Sequence, residues 1–344
     1  MSESQRLDPP EDRFDRGGVV PVAVSPEGEP QIAHLANGDR PFGASLEPVL
    51  GEACQGRLSP VNWFRTDWQR SGAATGYATF RDDAGIEHPV VVKLPVPPQE
   101  RQWLMRLQGF EHVAPRLYAH GDTLGGYDIA WVVMERLAQG PLSAAWGGAE
   151  FDLFVQTAGR FYAATATFPG HGQPRRKDWE AILKRSRQSV RSHGLAHEQR
   201  WTHALKKVHK KLPKWVEAWE GRDTSQWCHG DLHLGNAMTR AQPPDGPALL
   251  FDYAEVRPGH WLEDAVYLEH LYWARRHRLG ERRLCRMIAR QRKENGLPNE
   301  PDWPRLAGVM RALLAMSTPA MLHADGDPRH VEAALEVLEH EVAG

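Results

Sequence analysis

The stretch WCHGDLHLGNAM, residues 227–238, is followed after a Pro-Pro-Asp-Gly turn by LLFDYAE, residues 249–255. A loop and a hairpin in these segments bring Asp231, Asn236 and Asp252 together. Two carboxylates and one amide oxygen are hard oxygen ligands, which suit Mg²⁺ or one metal ion together with one proton acceptor. The segments therefore predict a site for a divalent cation in the second half of the chain.

The chain before this motif is rich in short strands. Turn clusters separate the first four of them into two pairs, which predicts two β-hairpins. A helix from Gln99 to Gln108 begins directly after Pro97-Pro98, as helices often do. Residues 1–18 carry little that can be buried and predict a mobile tail. The predicted strands cover residues 19–24, 31–35, 77–82, 89–95, 116–120 and 129–136.

Beyond residue 137 the apolar residues recur at steps of three and four, which is typical of helices. Only QWCHGD (226–231) and ALLFDY (248–253) interrupt this part as short strands. A β-rich front half joined to a mainly helical back half predicts an α+β fold with a cleft between two lobes. The predicted helical segments cover residues 151–165, 179–220 and 262–278, and helical patterns continue to the end.

Asp231 and Asn236 are five positions apart, as are the Asp and Asn of the protein kinase pattern HRDxxxxN, and Asp252 lies on the next hairpin. With Gly in the middle of HGD and Asp252 in place of the kinase DFG Asp, the chain resembles the aminoglycoside phosphotransferase and choline kinase-like family. The resemblance covers about residues 60–344. It implies a bilobal protein kinase-like fold with a small antiparallel β-rich N-lobe and a larger, mainly helical C-lobe.

The resemblance also implies a division into domains. Residues 1–45 form an N-terminal tail and hairpin extension in this scheme. Residues 46–137 form the N-lobe, which binds the nucleotide. Residues 138–344 form the helical C-lobe with the catalytic loop and the substrate pocket.

The family's catalytic roles carry over to matching positions. Asp231 is expected to be the catalytic base that faces the substrate hydroxyl, with Asn236 and Asp252 as ligands of Mg²⁺. Lys93 is expected to bind the α and β phosphates of ATP, and Glu100 to orient Lys93 by an ion pair. A Lys at the end of an apolar strand needs such a partner, because an unpaired buried charge is costly. The alternative for Glu100 is a helix-start carboxylate that interacts with the helix dipole.

Three further assignments follow from the resemblance. The phosphate-covering loop is expected at QRSGAATGYATF (69–80) with Gly72 and Gly76, although the strict GxGxxG pattern is absent. The run VMERL (133–137) is expected to be the hinge that meets adenine, through Met134, Glu135 and Leu137. Asp264 matches a buried Asp that steadies the catalytic loop.

Composition excludes several classes of function. Lys and Arg total 42 against 44 Asp and Glu, so no net field favours nucleic acid or an anionic membrane as a partner. Cys54, Cys228 and Cys285 lie far apart, which excludes a disulfide framework and predicts a reducing, cytoplasmic location. No apolar run is long enough to span a membrane, and the polar N-terminus is unlike a secretory signal.

Several conspicuous residues are interpreted as structural. The run KKVHKKLPK (206–214) surrounds an apolar stripe, as on a solvated amphipathic helix. His229 is expected to be a hydrogen-bonded scaffold residue, whereas His233 is more open to a substrate role. Trp215, Trp219 and Trp273 are assigned to the core, and the aromatic residues kept as pocket candidates are Trp261 and Tyr267.

The function expected from these residues is transfer of the γ-phosphoryl group of ATP, with Mg²⁺, to a hydroxyl of a small molecule, as in aminoglycoside phosphotransferases. The alternatives are a metabolic kinase of choline, a sugar or an amino alcohol, and a catalytically inactive nucleotide-binding pseudokinase. The sequence leaves open the acceptor, the choice between ATP and GTP, and the oligomeric state.

Overall fold

A computed structural model describes residues 42–64, 73–144, 148–170, 172–321 and 327–343. These residues form an α+β fold, as the sequence predicts: a five-stranded antiparallel sheet near the N-terminus is followed by a mainly helical part. The predicted tail (1–18) and first hairpin (19–35) lie outside the described residues.

The five-stranded sheet has the strand order β1-β2-β3-β5-β4, and every neighbouring pair is antiparallel. The hairpin predicted at residues 77–95 and the two strands predicted after it are present. The sheet strands are β1 (Asn62–Phe64), β2 (Ala74–Arg81), β3 (Glu87–Leu94), β4 (Leu117–Gly121) and β5 (Trp131–Glu135).

The two faces of β3 have different roles. Val90, Val92 and Leu94 point to one face and join the buried apolar core of the sheet. Lys93 points to the other face, since side chains alternate along a strand. It lies opposite Thr75 of β2 and Val132 of β5. The central position of β3 therefore holds Lys93 on the side of the sheet away from this core.

Helix α1 (Phe42–Ala53) was not predicted from the sequence. Gly43, Pro48 and Gly51 interrupt its pattern, and Pro48 lies inside the helix. Its apolar residues Leu46 and Leu50 nevertheless pack into the sheet core, and this burial outweighs weak helix propensity.

Helix α2 (Pro98–Leu107) follows β3 and matches the predicted helix within one residue. Trp103 on its buried face contacts the rings of Phe168 and Trp227 edge-on, at centroid distances of 5.8 and 4.7 Å. Gln99 donates a hydrogen bond to the carbonyl oxygen of Val256. These contacts fix α2, and with it Glu100, against the helical part of the chain.

The helical part contains two small antiparallel sheets, β6 with β9 and β7 with β8. The strands predicted at 226–231 and 248–253 are shorter than expected: β6 spans Gln226–Cys228 and β8 spans Ala248–Leu250. β7 (Ala237–Thr239) and β9 (Arg257–Gly259) were not predicted, because three-residue strands show no periodicity.

The helices largely follow the predicted segments. The segment 179–220 is two helices rather than one, and the segment 262–278 is a helix that ends at His270, followed by a 3₁₀ turn over Trp273–Arg278. None of the helices among the described residues is long and apolar enough to cross a membrane. The helices are α3 (Ala149–Thr165), α4 (Trp179–Ser192), α5 (Glu198–Glu220), α6 (Trp261–His270), α7 (Leu284–Glu294), α8 (Trp303–Ser317) and α9 (Pro328–Ala343).

The chain divides into two compact units. One contains Asp178–Ala218 and the described residues from Arg311 onward. In it the apolar stripe of α5, with Leu205, Val208 and Leu212, is buried as predicted, and the flanking lysines are exposed except for the half-buried Lys211. The other unit contains the described residues up to Lys177 together with Trp219–Met310, and it holds every described residue of the candidate site.

Candidate active site

The motif HGD lies in the loop between β6 and β7. Gly230 has a φ of +85°, and a Cβ atom at this position would collide with the carbonyl oxygen of Glu255 and the guanidinium of Arg257. Glycine is the residue that adopts such a backbone without strain and also fills no space. The backbone conformation and the lack of space therefore require glycine at the middle position of the motif.

Asp264 on α6 anchors this loop, as expected from the resemblance. Its Oδ2 accepts hydrogen bonds from the backbone N–H of His229 (2.7 Å) and the hydroxyl of Tyr162 (3.0 Å), and its Oδ1 accepts one from Gly230 N–H (2.9 Å). The side chain is buried, and this burial raises the pKa of Asp264 to about 6. The carboxyl group thus fixes the backbone immediately before Asp231.

Asp231 is partly exposed, with 36% of its side chain accessible. Its Oδ1 accepts a hydrogen bond from Tyr267 Oη (3.0 Å), and its Oδ2 accepts one from Asn236 Nδ2 (3.1 Å). Burial raises the pKa of Asp231, but the hydrogen bond and charge of His233 and the Tyr267 hydroxyl outweigh it and lower the pKa to about 2. Asp231 is therefore a carboxylate at neutral pH, ready to accept a proton.

His233 lies beside this carboxylate. Its Nδ1 accepts a hydrogen bond from Gly235 N–H at 3.0 Å, which leaves the proton of the neutral ring on Nε2. Nε2 lies 3.4 Å from Asp231 Oδ2. The structure thus directs His233 toward Asp231.

The β7–β8 hairpin brings Asn236 and Asp252 together. Ala237 pairs with Leu250, and Phe251 N–H donates to the carbonyl oxygen of Asn236 at 3.1 Å. Asp252 follows directly, with a left-handed backbone (φ +63°), and 41% of its side chain is accessible. Non-glycine residues adopt this backbone infrequently, and such residues cluster at functional sites.

The oxygen donors of this hairpin suit Mg²⁺. Asn236 uses Nδ2 to bond the backbone oxygen and Oδ2 of Asp231, and its amide oxygen Oδ1 is the atom that could act as a metal ligand. No group of three or more His, Cys, Asp or Glu side chains that could hold a metal occurs in the described part of the chain. A partial protein site fits Mg²⁺, which takes one or two carboxylates and completes its shell with phosphate oxygens and water.

Lys93 and Glu100 form the ion pair expected from the sequence. Lys93 Nζ lies 2.8 Å from Oε1 and 2.9 Å from Oε2 of Glu100, which is 1% exposed. Lys93 Nζ is also 3.7 Å from Asp252 Oδ1. Burial lowers the pKa of Lys93, but the two carboxylates outweigh it and raise the pKa, so the ammonium stays charged. The sheet and the catalytic hairpin meet at this cation.

The residues expected to form the hinge, Met134, Glu135 and Leu137, lie at the end of β5 or just after it. Met134 pairs with Val91 and so shares the sheet face that carries Lys93. The side chain of Glu135 forms a two-point ion pair with Arg240, at 2.6 and 2.8 Å. Leu137 follows the strand, and no described residue accepts a hydrogen bond from its N–H.

The structure corrects the predicted phosphate loop. Residues 74–80 form strand β2 instead of a loop, and Gly76 pairs with Val92 inside it. A side chain at Gly76 would collide with Val61, so close strand packing accounts for this glycine. Gly72 lies in the connection 65–72 between β1 and β2, outside the described residues.

Two interpretations of single residues change. His229 is buried against Phe161 and Tyr253, but its ring nitrogens have no hydrogen-bond partner among the described residues, contrary to prediction. Trp261 is fully buried and contacts Trp303, which excludes it as a pocket wall. Trp219 and Trp273 are buried as predicted, whereas Trp215 is half-buried.

Sequence reasoning missed two residues that support the site. Tyr162 donates to Asp264 across 102 positions of the chain, and Arg240 pairs with Glu135 across 105. Tyr162 lies within an apolar helix stripe, and Arg240 follows a short strand. Neither position indicates a partner so distant in the sequence.

Comparisons with known proteins agree with this geometry. Residues 69–331 match the model of the phosphotransferase enzyme family. A protein assigned provisionally as an aminoglycoside phosphotransferase, from Ralstonia eutropha, superimposes with a TM-score of 0.54 and 14% identity over 86% of this chain and 97% of that chain. An aminoglycoside phosphotransferase from Alicyclobacillus acidocaldarius superimposes with a TM-score of 0.52 and 16% identity over 83% of this chain and 91% of that chain. None of the curated protein sequences matches the chain.

At these identities the two structures show a shared fold. The family match spans well over half of the chain and confirms the resemblance drawn from HGD, Asn236 and Asp252. The chain belongs to the phosphotransferase enzyme family.

Proposed function

We propose that the protein transfers the γ-phosphoryl group of ATP, with Mg²⁺, to a hydroxyl group of a small molecule. The observation that carries the proposal is the convergence of Lys93 and Asp252, whose Nζ and Oδ1 atoms lie 3.7 Å apart, beside a loop that presents Asp231. Phosphoryl transfer needs a cation on the phosphates, a metal site and an acceptor for the hydroxyl proton. The candidates for these three roles are Lys93, Asp252 with Asn236, and Asp231.

Asp231 is the proposed catalytic base. It is ionised, and it is held by donors from outside and inside its loop, Tyr267 and Asn236. A fixed carboxylate holds the acceptor hydroxyl in line and takes its proton as the new bond to phosphorus forms.

Asn236 and Asp252 would hold the metal through Oδ1 and a carboxylate oxygen. When bound, Mg²⁺ neutralises charge on the phosphates of the nucleotide. Lys93 supplies the second positive charge for the α and β phosphates, and Glu100 keeps Lys93 in place from the opposite side. Each of these catalytic roles has a candidate residue, which favours an active enzyme over a pseudokinase.

The nucleotide base would lie at the end of β5, beside Met134 and Glu135. The N–H of Leu137, which has no hydrogen-bond acceptor within the described part of the chain, suits a ring nitrogen of adenine. The phosphate-covering role is proposed for residues 65–72 with Gly72, which lie outside the described residues. Residues 46–137 are the proposed nucleotide-binding lobe and residues 138–344 the catalytic and acceptor lobe.

The acceptor is proposed to be a hydroxylated small molecule of the aminoglycoside type, with choline, an amino alcohol or a sugar as alternatives. The two superimposed structures carry the name aminoglycoside phosphotransferase, which supports this order. Cys54, Cys228 and Cys285, all of them described and buried, are not joined by disulfide bonds, which supports the proposed cytoplasmic location.

A screen for ADP release tests the proposal. The purified protein is incubated with MgATP, and in parallel with MgGTP, against aminoglycosides, choline, amino alcohols and sugars. We expect at least one acceptor to stimulate ADP release and to gain the mass of one phosphoryl group. Asp231→Asn serves as the background control. Nucleotide binding without transfer to any hydroxyl in the set would favour the pseudokinase instead.

A further inference from the structure

Tyr267 is one of the two donors that hold the proposed catalytic base, and its place at one carboxylate oxygen allows a more specific role. It lies on α6, half-buried, and its Oη donates to Asp231 Oδ1 at 3.0 Å. The other carboxylate oxygen, Oδ2, is approached by Asn236 Nδ2 at 3.1 Å and His233 Nε2 at 3.4 Å. One oxygen is thus held by the catalytic loop itself and the other by a helix outside it.

The two oxygens differ in the room left for a further donor. A carboxylate oxygen offers about two lone-pair directions. Within the described residues, two nitrogen atoms, Asn236 Nδ2 and His233 Nε2, crowd Oδ2, whereas the Tyr267 hydroxyl alone approaches Oδ1. An acceptor hydroxyl therefore finds its hydrogen-bond position at Oδ1, next to the phenol of Tyr267.

Helix α6 is built to hold this position. Asp264 and Tyr267 are three residues apart and so lie on one face of the helix. Asp264 binds the backbone N–H groups of His229 and Gly230, while Tyr267 binds the side chain of Asp231. The first turn of α6 is itself closed by a capping box between His260 and Glu263. One rigid face thus positions both the backbone and the carboxylate of the loop.

We propose that Asp231 Oδ1 is the oxygen that receives the proton of the acceptor, and that Tyr267 is the positioning residue that fixes Oδ1 and borders the acceptor. This inference rests on the proposed function. The acceptor O–H proton moves to Oδ1 while the acceptor oxygen forms its bond to the γ-phosphorus of ATP. The bond from that phosphorus to the bridging oxygen breaks, and ADP leaves with the electron pair. Tyr267 keeps its own proton throughout.

Tyr267→Phe tests the inference, because it removes the donor and keeps the ring. The probe is MgATP in water alone, with water as the acceptor, and the readouts are the rate of ADP release and the Kd of MgADP. We expect kcat to fall about ten- to a hundredfold, the effect of losing a hydrogen bond to a charged group in a reacting complex. KM for MgATP and the Kd of MgADP stay within about twofold, since the phosphate contacts are untouched.

A double-mutant cycle separates positioning from a merely structural role. Tyr267→Phe combined with Asp231→Asn should be no slower than Asp231→Asn alone, because the hydroxyl acts through that carboxylate. The matched control is Tyr272→Phe, a buried tyrosine that packs on Phe151 near the end of α6 and should leave kcat unchanged.

The outcomes distinguish this inference from the proposed function. Unchanged kcat in Tyr267→Phe, or additive losses in the cycle, overturns the inference while a slow Asp231→Asn variant still supports the function. Full activity in Asp231→Asn overturns both.

Discussion

Lys93 and Glu100 form an ion pair that is almost closed to solvent, with Nζ 2.8 Å from Oε1 and 2.9 Å from Oε2. The pair joins the middle of the sheet to the first turn of α2, and Asp252 approaches the same ammonium at 3.7 Å. A carboxylate that is 1% exposed is stable in the charged form only with such a partner. Glu100 therefore acts as the ion-pair partner of Lys93 and not only as a carboxylate in the first turn of a helix.

The pair should act as a unit in catalysis. Lys93→Ala removes the cation from the phosphates and should lower kcat/KM for MgATP about a hundredfold or more. Glu100→Ala leaves the ammonium free to move. The double variant should be nearly as active as Lys93→Ala alone.

An exposed pair in the same sheet provides the control. Arg81 and Glu87 pair at 2.9 Å with both side chains about two-thirds accessible, and their cycle should show little effect. Fully additive losses for Lys93 and Glu100 would contradict the assignment and place the partner of Lys93 elsewhere.

Asp252 should link nucleotide affinity to Mg²⁺. Asp252→Ala should weaken binding of MgADP at least about tenfold, because a carboxylate ligand of the metal is lost, and should change binding of metal-free ADP little. Calorimetry with and without Mg²⁺ measures both. Asp245→Ala, an exposed acid at the turn of the same hairpin, is the control. Unaltered MgADP affinity in Asp252→Ala would rule out its role as a ligand.

Gly230 should be irreplaceable for steric reasons. Gly230→Ala combines a strained φ of +85° with a collision against the backbone of Glu255, so the catalytic loop must shift and kcat should fall by more than tenfold, about 1.4 kcal/mol or more. Gly85→Ala has a similar φ of +80° but open space around it, and it should cost about 1 kcal/mol of stability without loss of kcat. Equal activity of the two variants would show that the close contact is unimportant.

His229 should make the fold sensitive to acid. Burial lowers its pKa to about 4, whereas an unfolded histidine titrates near about 6.5. The unfolded state therefore binds the proton first, and stability falls as the pH drops from about 6.5 toward 4. His229→Phe removes this loss, so its free energy of unfolding relative to the parent should rise by about 2 kcal/mol between pH 7 and pH 5.

Unfolding of both proteins at the two pH values measures this difference. The matched variant His209→Phe, at an exposed position of α5, should leave it near zero. If the difference in unfolding free energy between His229→Phe and the parent were the same at both pH values, the prediction would be wrong. The His229 ring would then take up its proton as readily in the folded state as in the unfolded state.

The sequence predicts those parts of the fold that depend on long, regular patterns. Alternation in YATFRD and the apolar run PVVVKLP, with a turn between them, predict β2 and β3, and Lys93 lies near the end of the second strand. Helix α1 is hidden by Gly43 and Pro48, since its stability comes from Leu50 in the sheet core rather than from local propensity.

The sequence predicts those contacts of the candidate site that join residues close together in the chain. Asp231 and Asn236 are close in sequence, and their hydrogen bond follows from one loop. The contact of Tyr267 with Asp231 spans 36 residues and that of Tyr162 with Asp264 spans 102, so only the packing of α3 and α6 creates them. Sequence spacing therefore predicts contacts between residues of one loop. Contacts between distant residues depend on tertiary packing and are not predicted by spacing.

Asp231→Asn tests the central claim most directly, because it removes the proton acceptor and keeps the size of the side chain. The measurement is ADP release with MgATP and a stimulating acceptor, together with the Kd of MgADP by calorimetry. The proposed role of Asp231 predicts a kcat lower by at least about a hundredfold, with a Kd within about twofold of the parent. Near-parental turnover in this variant would contradict it.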